Sequence, residues 1–503
     1  MDNRVRNAGL RARITDPETA ARLIQNRMTV AMGGYTSSGY PKVIAGELVR
    51  RKQAGEDLSI FLLTGSNVWP LDELLAPANL VDRRAPMCAG RNLARQINQR
   101  KVQYVEQQMN KMPGLLHCGA FGKIDIAVVE ALAITEEGYL IPTSSIGMVP
   151  NILDQAETII VEINLAQPTQ LEGLHDVYRP ALPPHRKPIP LISANQRIGE
   201  PFVRVDPRKI KYIVESRVLD SVEQATEATE AAKRIADHLF NFLELEIPKN
   251  FGGYLPPLQT GFGNLATQLV AAMKRSKFQN IQFFCGGLGE ANMELMLTGK
   301  VKAASCGSIE MTPKVLDIIR NHSDVLNKVM LLRNGEVTNN PETIHRLGVI
   351  ALNSAIEIDI YGNVNSSHIG GSSVVNGIGG GANFAENAGL SILLLPSESK
   401  SGAISTIVPM VFHQDISEHD VDVLITENGV ADLRGKDEVE RARAVIRDCA
   451  SELYRDQLAH YLDRAITECG GHRPQLPVEA FGWYERLRQT GTMRCAQSSV
   501  ASP

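Results

Sequence analysis

At 503 residues, with 43% hydrophobic and 21% charged side chains, the chain exceeds one small core and implies a globular protein of more than one domain. Its 52 Lys plus Arg against 56 Asp plus Glu leave a net charge of -4, too even a balance to draw a nucleic-acid partner. Seven cysteines without paired two-residue spacing suggest neither a zinc site nor a disulfide framework. The start Met1-Asp2-Asn3-Arg4-Val5-Arg6 lacks the apolar core of a secretion signal, and no run approaches ~18 uninterrupted apolar residues. A cytoplasmic location with reduced thiols, no membrane and no metal is therefore expected.

The chain alternates strand-like and helix-like stretches. Thr29 to Met32 reads as a strand running into Gly33-Gly34-Tyr35-Thr36-Ser37-Ser38-Gly39-Tyr40-Pro41, with a helix from Val43 to Arg51. Leu58 to Leu63, Ile124 to Glu130, Thr158 to Ile163 and Ile210 to Val214 are further apolar runs. Their continuous rather than alternating hydrophobicity predicts strands covered on both faces, as in a parallel α/β sheet. Pro180 to Pro190 is too rich in proline for a central strand or a helix.

An Ala- and Glu-rich helical segment, Ser221 to Glu246, then bridges to a second alternation. There Ile281 to Cys285, Val329 to Leu332, Leu347 to Asn353, Ile392 to Leu395 and Val421 to Ile425 are the predicted strands. The expected architecture is α/β, with two open-sheet units, 1–225 and 226–503. The stretch Ile281 to Glu290 reads as a buried strand, a tight turn at Gly286-Gly287 and a helix from Ala291 to Leu297. In open α/β sheets such strand ends line the ligand crevice, and glycines let the backbone approach a bound molecule.

Other glycine loops are candidate anion cradles. Gly377-Ile378-Gly379-Gly380-Gly381-Ala382 fits a dinucleotide-type pattern, but it sits deep in the chain behind a weak strand, Ser372 to Val375. A loop whose bare amides bind a ligand oxygen or phosphate needs less, so no NAD is expected. Gly261-Phe262-Gly263-Asn264 precedes a helix and offers similar amides, while Thr426-Glu427-Asn428-Gly429 closes a strand with a carboxylate. His413-Gln414-Asp415 with Glu418-His419-Asp420 lacks the one-face spacing of a zinc-binding helix and reads as a polar loop. No Gly-x-Ser-x-Gly elbow is present, which disfavours a serine hydrolase of the usual α/β type.

Over nearly its whole length the chain resembles the acetyl-CoA hydrolase/transferase family, in particular succinate or acetate CoA-transferases. The resemblance is carried by Arg4-Val5-Arg6-Asn7, by the loop Gly34-Tyr35-Thr36 to Gly39-Tyr40-Pro41-Lys42, and by Phe121-Gly122-Lys123-Ile124-Asp125. It continues through Leu171-Glu172-Gly173-Leu174-His175-Asp176, His185-Arg186-Lys187-Pro188, Ile360-Tyr361-Gly362-Asn363-Val364-Asn365 and Ile404-Ser405-Thr406-Ile407-Val408-Pro409-Met410. Glu418-His419-Asp420-Val421 and Ala431-Asp432-Leu433-Arg434-Gly435 complete it. The resemblance implies two related CoA-transferase-type (class I) domains in one chain, the second carrying most of the active site, and usually a homodimer. Coenzyme A or an acyl-CoA would be the small-molecule substrate, alongside an acceptor. Carried over by position, the backbone amides of Phe262 and Gly380 would form an oxyanion hole, with Gly377, Gly379 and Gly381 in the same CoA-binding loop. Asn339 would orient the reacting group, Glu427 would be the second active-site carboxylate, and Lys400 would meet the charged end of CoA.

The departure lies at the centre. Family members read Tyr-Thr-Glu-Val-x-Gln-Asp after the central strand, with the glutamate as nucleophile. Aligning Leu297-Thr298-Gly299-Lys300 to Ala304-Ser305 without a gap puts Gly286 at that place, between Cys285 and Gly287. Several neighbouring positions change together, which argues for altered chemistry: hydrolysis, or acyl transfer to a non-carboxylate acceptor. The alternatives are a conventional CoA-transferase using a displaced carboxylate, an acyl-CoA decarboxylase and a non-catalytic CoA-ester binder. Glu290 reads better as a carboxylate favoured at a helix amino terminus than as a displaced nucleophile. Cys285 is the strong nucleophile of this loop, and an acyl group moved onto it would remain a thioester. Against that role, neighbouring strand side chains point to opposite faces, and buried free cysteines are usually inert.

Overall fold

The computed structural model describes every residue except 2, 224–228, 262 and 496–503. The chain divides into two compact units: Met1–Glu227 with Phe251–Ala351 and Val374–Leu390, and Ala228–Asn250 with Leu352–Ser373 and Ser391–Pro503.

The first unit holds a seven-stranded sheet in the order Ile210–Ser216, Ala156–Asn164, Ile124–Ala131, Thr29–Met32, Ile60–Thr64, Val81–Ala85, Gln103–Tyr104. Every pairing in it is parallel. The strand from Ile60 is buried at all five positions, as the unbroken apolar runs predict for a sheet covered on both faces. Its core joins Val30, Met32, Ile60, Leu62, Ile126 and Val128 to Ile44 and Leu48 of the helix Val43–Gln53.

The same unit carries a second run of parallel strands. His175–Asp176 pairs with Met330–Arg333, which pairs with Val301–Ile309, then Ile281–Leu288, then Leu258–Gln259, with Ile350 and Ala351 beyond. Here the structure corrects the expectation of a tight turn at Gly286-Gly287. The strand runs on to Leu288, because Val301–Ile309 keeps pairing with it: Gly287 lies opposite Ser308 and Leu288 opposite Ile309. The connection comes at Gly289, and the helix is Glu290–Leu297. In the second unit Ile392, Leu393 and Leu394 pair in parallel with Val423, Leu424 and Ile425 of the strand Val423–Thr426, which turns back antiparallel through Gly429–Asp432. Helices Glu230–Asn250, Glu452–Glu468 and Pro477–Thr490 belong to that unit. Of the expected bridge helix, Ser221 to Glu246, residues 224–228 lie outside the described residues.

Local chemistry fixes the elements that carry the site. Asn340 caps the helix Pro341–Leu347 by accepting from the Glu342 amide, proline opens that helix and Gly348 closes it at φ 62°. Arg333, wholly buried, pairs with the buried Asp176, whose carboxylate also accepts from the Gly199 amide at 2.8 Å. Lys42, at the start of the helix Val43–Gln53, sits 2.6 Å from Glu130 and 2.8 Å from Asp220, all buried. Burial opposes the ammonium charge, but Asp220 and Glu130 outweigh it and hold the Lys42 pKa above its ordinary value.

Two stability predictions follow from these buried groups. Lys42→Met leaves Glu130 and Asp220 buried without a counter-charge and should cost roughly 3 to 5 kcal/mol, read from urea denaturation at neutral pH. His175 is fully buried, donates from Nε2 to the Thr143 carbonyl at 2.9 Å, and is held by burial at a pKa of about 4. A depressed folded pKa means the neutral ring's contribution is complete above the unfolded value of about 6.5 and is lost as pH falls toward 4. The unfolding free energy should therefore drop by roughly 3 kcal/mol across that window through this group, a slope that His175→Gln should flatten.

Candidate active site

The site is assembled in the first unit by the loop after Thr29–Met32 and the carboxyl end of Ile281–Leu288. Gly34, at φ 112°, leads into Tyr35, whose amide and carbonyl exchange hydrogen bonds with Ser38 at 3.0 Å each. The Ser38 hydroxyl donates to the Ile309 carbonyl at 2.7 Å and ties this loop to the central strands. Thr36 sits at φ 55°, a left-handed conformation that a β-branched residue adopts at a cost, here stored beside the candidate site.

The loop lays the Tyr35 side chain over two facing glycines. A Cβ built on Gly286 would meet the Tyr35 hydroxyl at 2.4 Å, and one on Gly307 would lie 3.5 Å from the ring and 2.9 Å from the Gly286 carbonyl. Tyr35 thus takes the space that a side chain at 286 would need. The hydroxyl lies 3.5 Å from Met109 Sδ. Burial pushes the phenol well above its ordinary pKa, with smaller contributions from the Cys285 and Cys306 thiols, so it stays protonated.

Met109 also borders Gly380. A Cβ there would be 3.6 Å from Met109 Sδ and 2.5 Å from Asn339 Nδ2, so only glycine fits against that amide. Asn339 is fully buried, its Oδ1 accepts from the Thr338 hydroxyl at 2.9 Å, and its Nδ2 has no protein partner. An orphaned buried donor marks a place for an acceptor oxygen. Gly377 is pressed against Met87 and donates to the Cys88 carbonyl at 2.6 Å, Gly379 turns at φ 67°, and Gly381 opens the helix Gly381–Asn387. A cleft of about 510 Å³ is lined among others by Thr36 and Ser37, which follow Tyr35, and by Gly261, Gly263, Gly289 and Glu290.

The predicted residues fall into three sets. Gly286, Asn339, Gly380 and the glycine loop converge in the first unit, whereas Phe262 lies outside the described residues. Glu427 and Lys400 belong to the second unit. There Glu427 accepts from the Ser397 amide at 2.9 Å and hydroxyl at 2.5 Å, and Lys400 is exposed at φ 48° in the turn between Glu398–Ser399 and Ile404–Ser405. Cys285 is fully buried, donates to the Gly287 carbonyl at 3.2 Å, and burial pushes its thiol up to about 12. That is opposite to the activation a nucleophilic cysteine needs. Glu290 is the first residue of its helix and accepts from the Thr312 hydroxyl at 2.6 Å. Among the described residues no group of three or more His, Cys, Asp or Glu is placed to hold a metal, and no helix is long and apolar enough to cross a membrane. Tyr35, Met109 and Thr338 were not legible as site residues. The sequence signals were that Tyr35 lies in a glycine-rich loop after a strand and in one of the strings that carry the family resemblance.

Open, largely parallel sheets with a glycine-lined group of residues at their strand ends define an α/β protein of the open-sheet class. The acetyl-CoA hydrolase/transferase N-terminal domain matches residues 1–217, and the C-terminal domain of the same family matches 315–462. The chain is 38% identical to the succinyl-CoA:acetate CoA-transferase of Clostridium kluyveri over 98% of its length and 92% of that protein's. It is 37% identical to the propanoyl-CoA:succinate CoA transferase of Escherichia coli, over 94% of this chain and 97% of the relative. With the acetyl-CoA hydrolase of Schizosaccharomyces pombe it shares 36% identity over 98% of each. In fold it is similar to RipA from Yersinia pestis, with a TM-score of 0.72 at 20% identity, covering 92% of this chain and 98% of the other. The 4-hydroxybutyrate CoA-transferase from Porphyromonas gingivalis gives 0.62 at 19%, covering 90% and 98%. The chain belongs to the acetyl-CoA hydrolase/transferase family and is an enzyme of the acyl-CoA transferase/hydrolase type.

The state of Cys285 yields a direct expectation. Cys285→Ala should keep CoA release from acyl-CoA within about twofold of wild type, because a protonated, buried thiol contributes no nucleophile. A loss beyond about tenfold with unchanged melting temperature would return the cysteine to the mechanism.

Proposed function

We propose that this enzyme cleaves a CoA thioester without a glutamyl anhydride, passing the acyl group to water or to a non-carboxylate acceptor. The reading takes Gly286 as the counterpart of the family's nucleophilic glutamate, and the observation that supports it is that Tyr35 takes the space a side chain at 286 would need. The relatives' names supply the substrate class, a short acyl-CoA. The orphaned Asn339 amide and the bare backbone at Gly380 support a bound carbonyl oxygen.

In the hydrolytic form, water attacks the thioester carbon and the carbonyl electrons move to oxygen, where the Asn339 amide and the Gly380 N–H hold the developing charge. Collapse breaks the carbon–sulfur bond, and the CoA thiolate leaves with the proton that the water gives up. The cleft beside Gly289 and Glu290 is the route we assign to the acceptor. The division into related domains at 1–225 and 226–503 is part of this proposal, supported by a parallel sheet formed within residues 29–216, although the strands from Leu258 to Ala351 lie in the same compact unit as that sheet and Met330–Arg333 pairs with His175–Asp176.

One observation favours a second reading: Glu290 lines that same cleft and could serve as a displaced carboxylate. The two readings differ in what accumulates on the protein. Incubation with acetyl-CoA should release free CoA without added carboxylate, and intact-mass measurement should find no CoA adduct. Rapid transfer to succinate with a covalent CoA adduct, both abolished in Glu290→Ala, would establish the displaced-carboxylate route instead.

A further inference from the structure

The most specific feature of the site is one that neither the family pattern nor the notion of a missing nucleophile accounts for. The space at position 286 is filled by a hydroxyl brought in from the other sheet of the unit. We propose that this Tyr35 hydroxyl is a catalytic hydrogen-bond donor to the thioester carbonyl oxygen, acting beside the Asn339 amide where the family carries a carboxylate. The inference rests on the thioester-cleaving reading above and assigns it a further residue.

Three independent features point the same way. First, the hydroxyl stands 2.4 Å from where a Gly286 Cβ would be, so it occupies the point from which a side chain at 286 would reach a substrate. Second, it is poorly satisfied. The acceptor recorded for it among the described residues is the Met109 thioether at 3.5 Å, a weak partner for a buried phenol. Asn339 Nδ2, which shares the neighbourhood of Met109 through Gly380, has no partner at all. Two buried neutral donors without a good acceptor cost stability unless a ligand oxygen completes them.

Third, the donor is rigidly presented. The Tyr35–Ser38 hydrogen bonds, the Ser38 hydroxyl on the Ile309 carbonyl and the φ 112° of Gly34 leave the ring little freedom, and Gly286 and Gly307 form the groove it lies in. A donor fixed in advance stabilises developing charge without reorganising during the reaction. Because burial keeps the phenol protonated, it donates without changing ionisation state. A carboxylate at 286 would attack the carbonyl carbon, whereas a phenol there polarises the carbonyl oxygen and leaves the attack to another molecule.

The test uses the full-length enzyme and two probes: acetyl-CoA, and its uncleavable ketone analogue with a methylene between sulfur and a ¹³C-labelled carbonyl. Bound to wild type, the labelled carbonyl should resonate downfield of its position in water. Tyr35→Phe keeps the ring in its groove, so it should bind the analogue within about threefold, lose much of the downfield shift and release CoA from acetyl-CoA about 10²-fold more slowly with KM little changed. Gly286→Ala, whose new methyl displaces the hydroxyl, should show the same losses, and the double variant should be no worse than either single one. A wild-type carbonyl shift and wild-type turnover in Tyr35→Phe would overturn the proposal while leaving thioester cleavage intact, as would the absence of any downfield shift in wild type. Failure of wild type to bind either probe would instead overturn the thioester reading itself, and this inference with it.

Discussion

The arrangement of the site depends on one buried charge. Lys42 ends the loop that begins at Gly33, and its ammonium is clasped by Glu130 from one strand and by Asp220 from beyond the last strand of the seven-stranded sheet. Glu162, also buried, accepts from the Lys42 and Ile44 amides at 2.8 Å each and so caps the helix that follows. Asp220 reaches further, accepting from the Gly39 amide at 3.2 Å and the Ser144 hydroxyl at 2.6 Å. Charges out of water are tolerable only when paired and hydrogen-bonded throughout, and this cluster meets that condition from three directions. What it secures is the path of residues 33–42, and hence the position of Tyr35.

From that anchor the chemistry follows by exclusion of space. Two glycines on neighbouring strands, Gly286 and Gly307, leave a trough, and the Tyr35 ring fills it. A side chain at 286 and the tyrosine hydroxyl cannot both occupy the same place. Burial keeps the hydroxyl that fills this trough neutral. A neutral donor beside a buried amide suits an acceptor oxygen, and the surrounding wall of Met109 and the Gly380 backbone adds no competing charge.

The second unit has its own network of polar contacts. Both Glu427 oxygens are engaged by Ser397, and the Asn428 amide donates to the same serine hydroxyl at 3.0 Å. These bonds hold the carboxylate at the tip of the strand Val423–Thr426. His413 likewise spends its Nε2 on Asp415 at 2.9 Å, while Asp415 also accepts from Ser367, which fits the reading of that stretch as a polar loop.

Much of the architecture was legible in the sequence because its causes are local. Unbroken apolar runs such as Ile124 to Glu130 and Thr158 to Ile163 specify strands buried on both faces, and they are found at 124–131 and 156–164. Long motifs also carried the family, since a chain this similar to its relatives keeps their residue strings. Three things were decided only by tertiary structure. Gly286-Gly287 read as a turn because glycine is permissive, but pairing with Val301–Ile309 extended the strand through them. Cys285 looked reactive beside an empty position, yet burial, which depends on the packing of distant segments, raised its thiol pKa. Tyr35 read as one residue of a glycine-bearing loop that carries a family motif, and no periodicity could tell that its hydroxyl would stand at Gly286. Sequence specifies what each segment can form, whereas which side chain fills a space left by another is settled only when segments far apart in the chain are brought together.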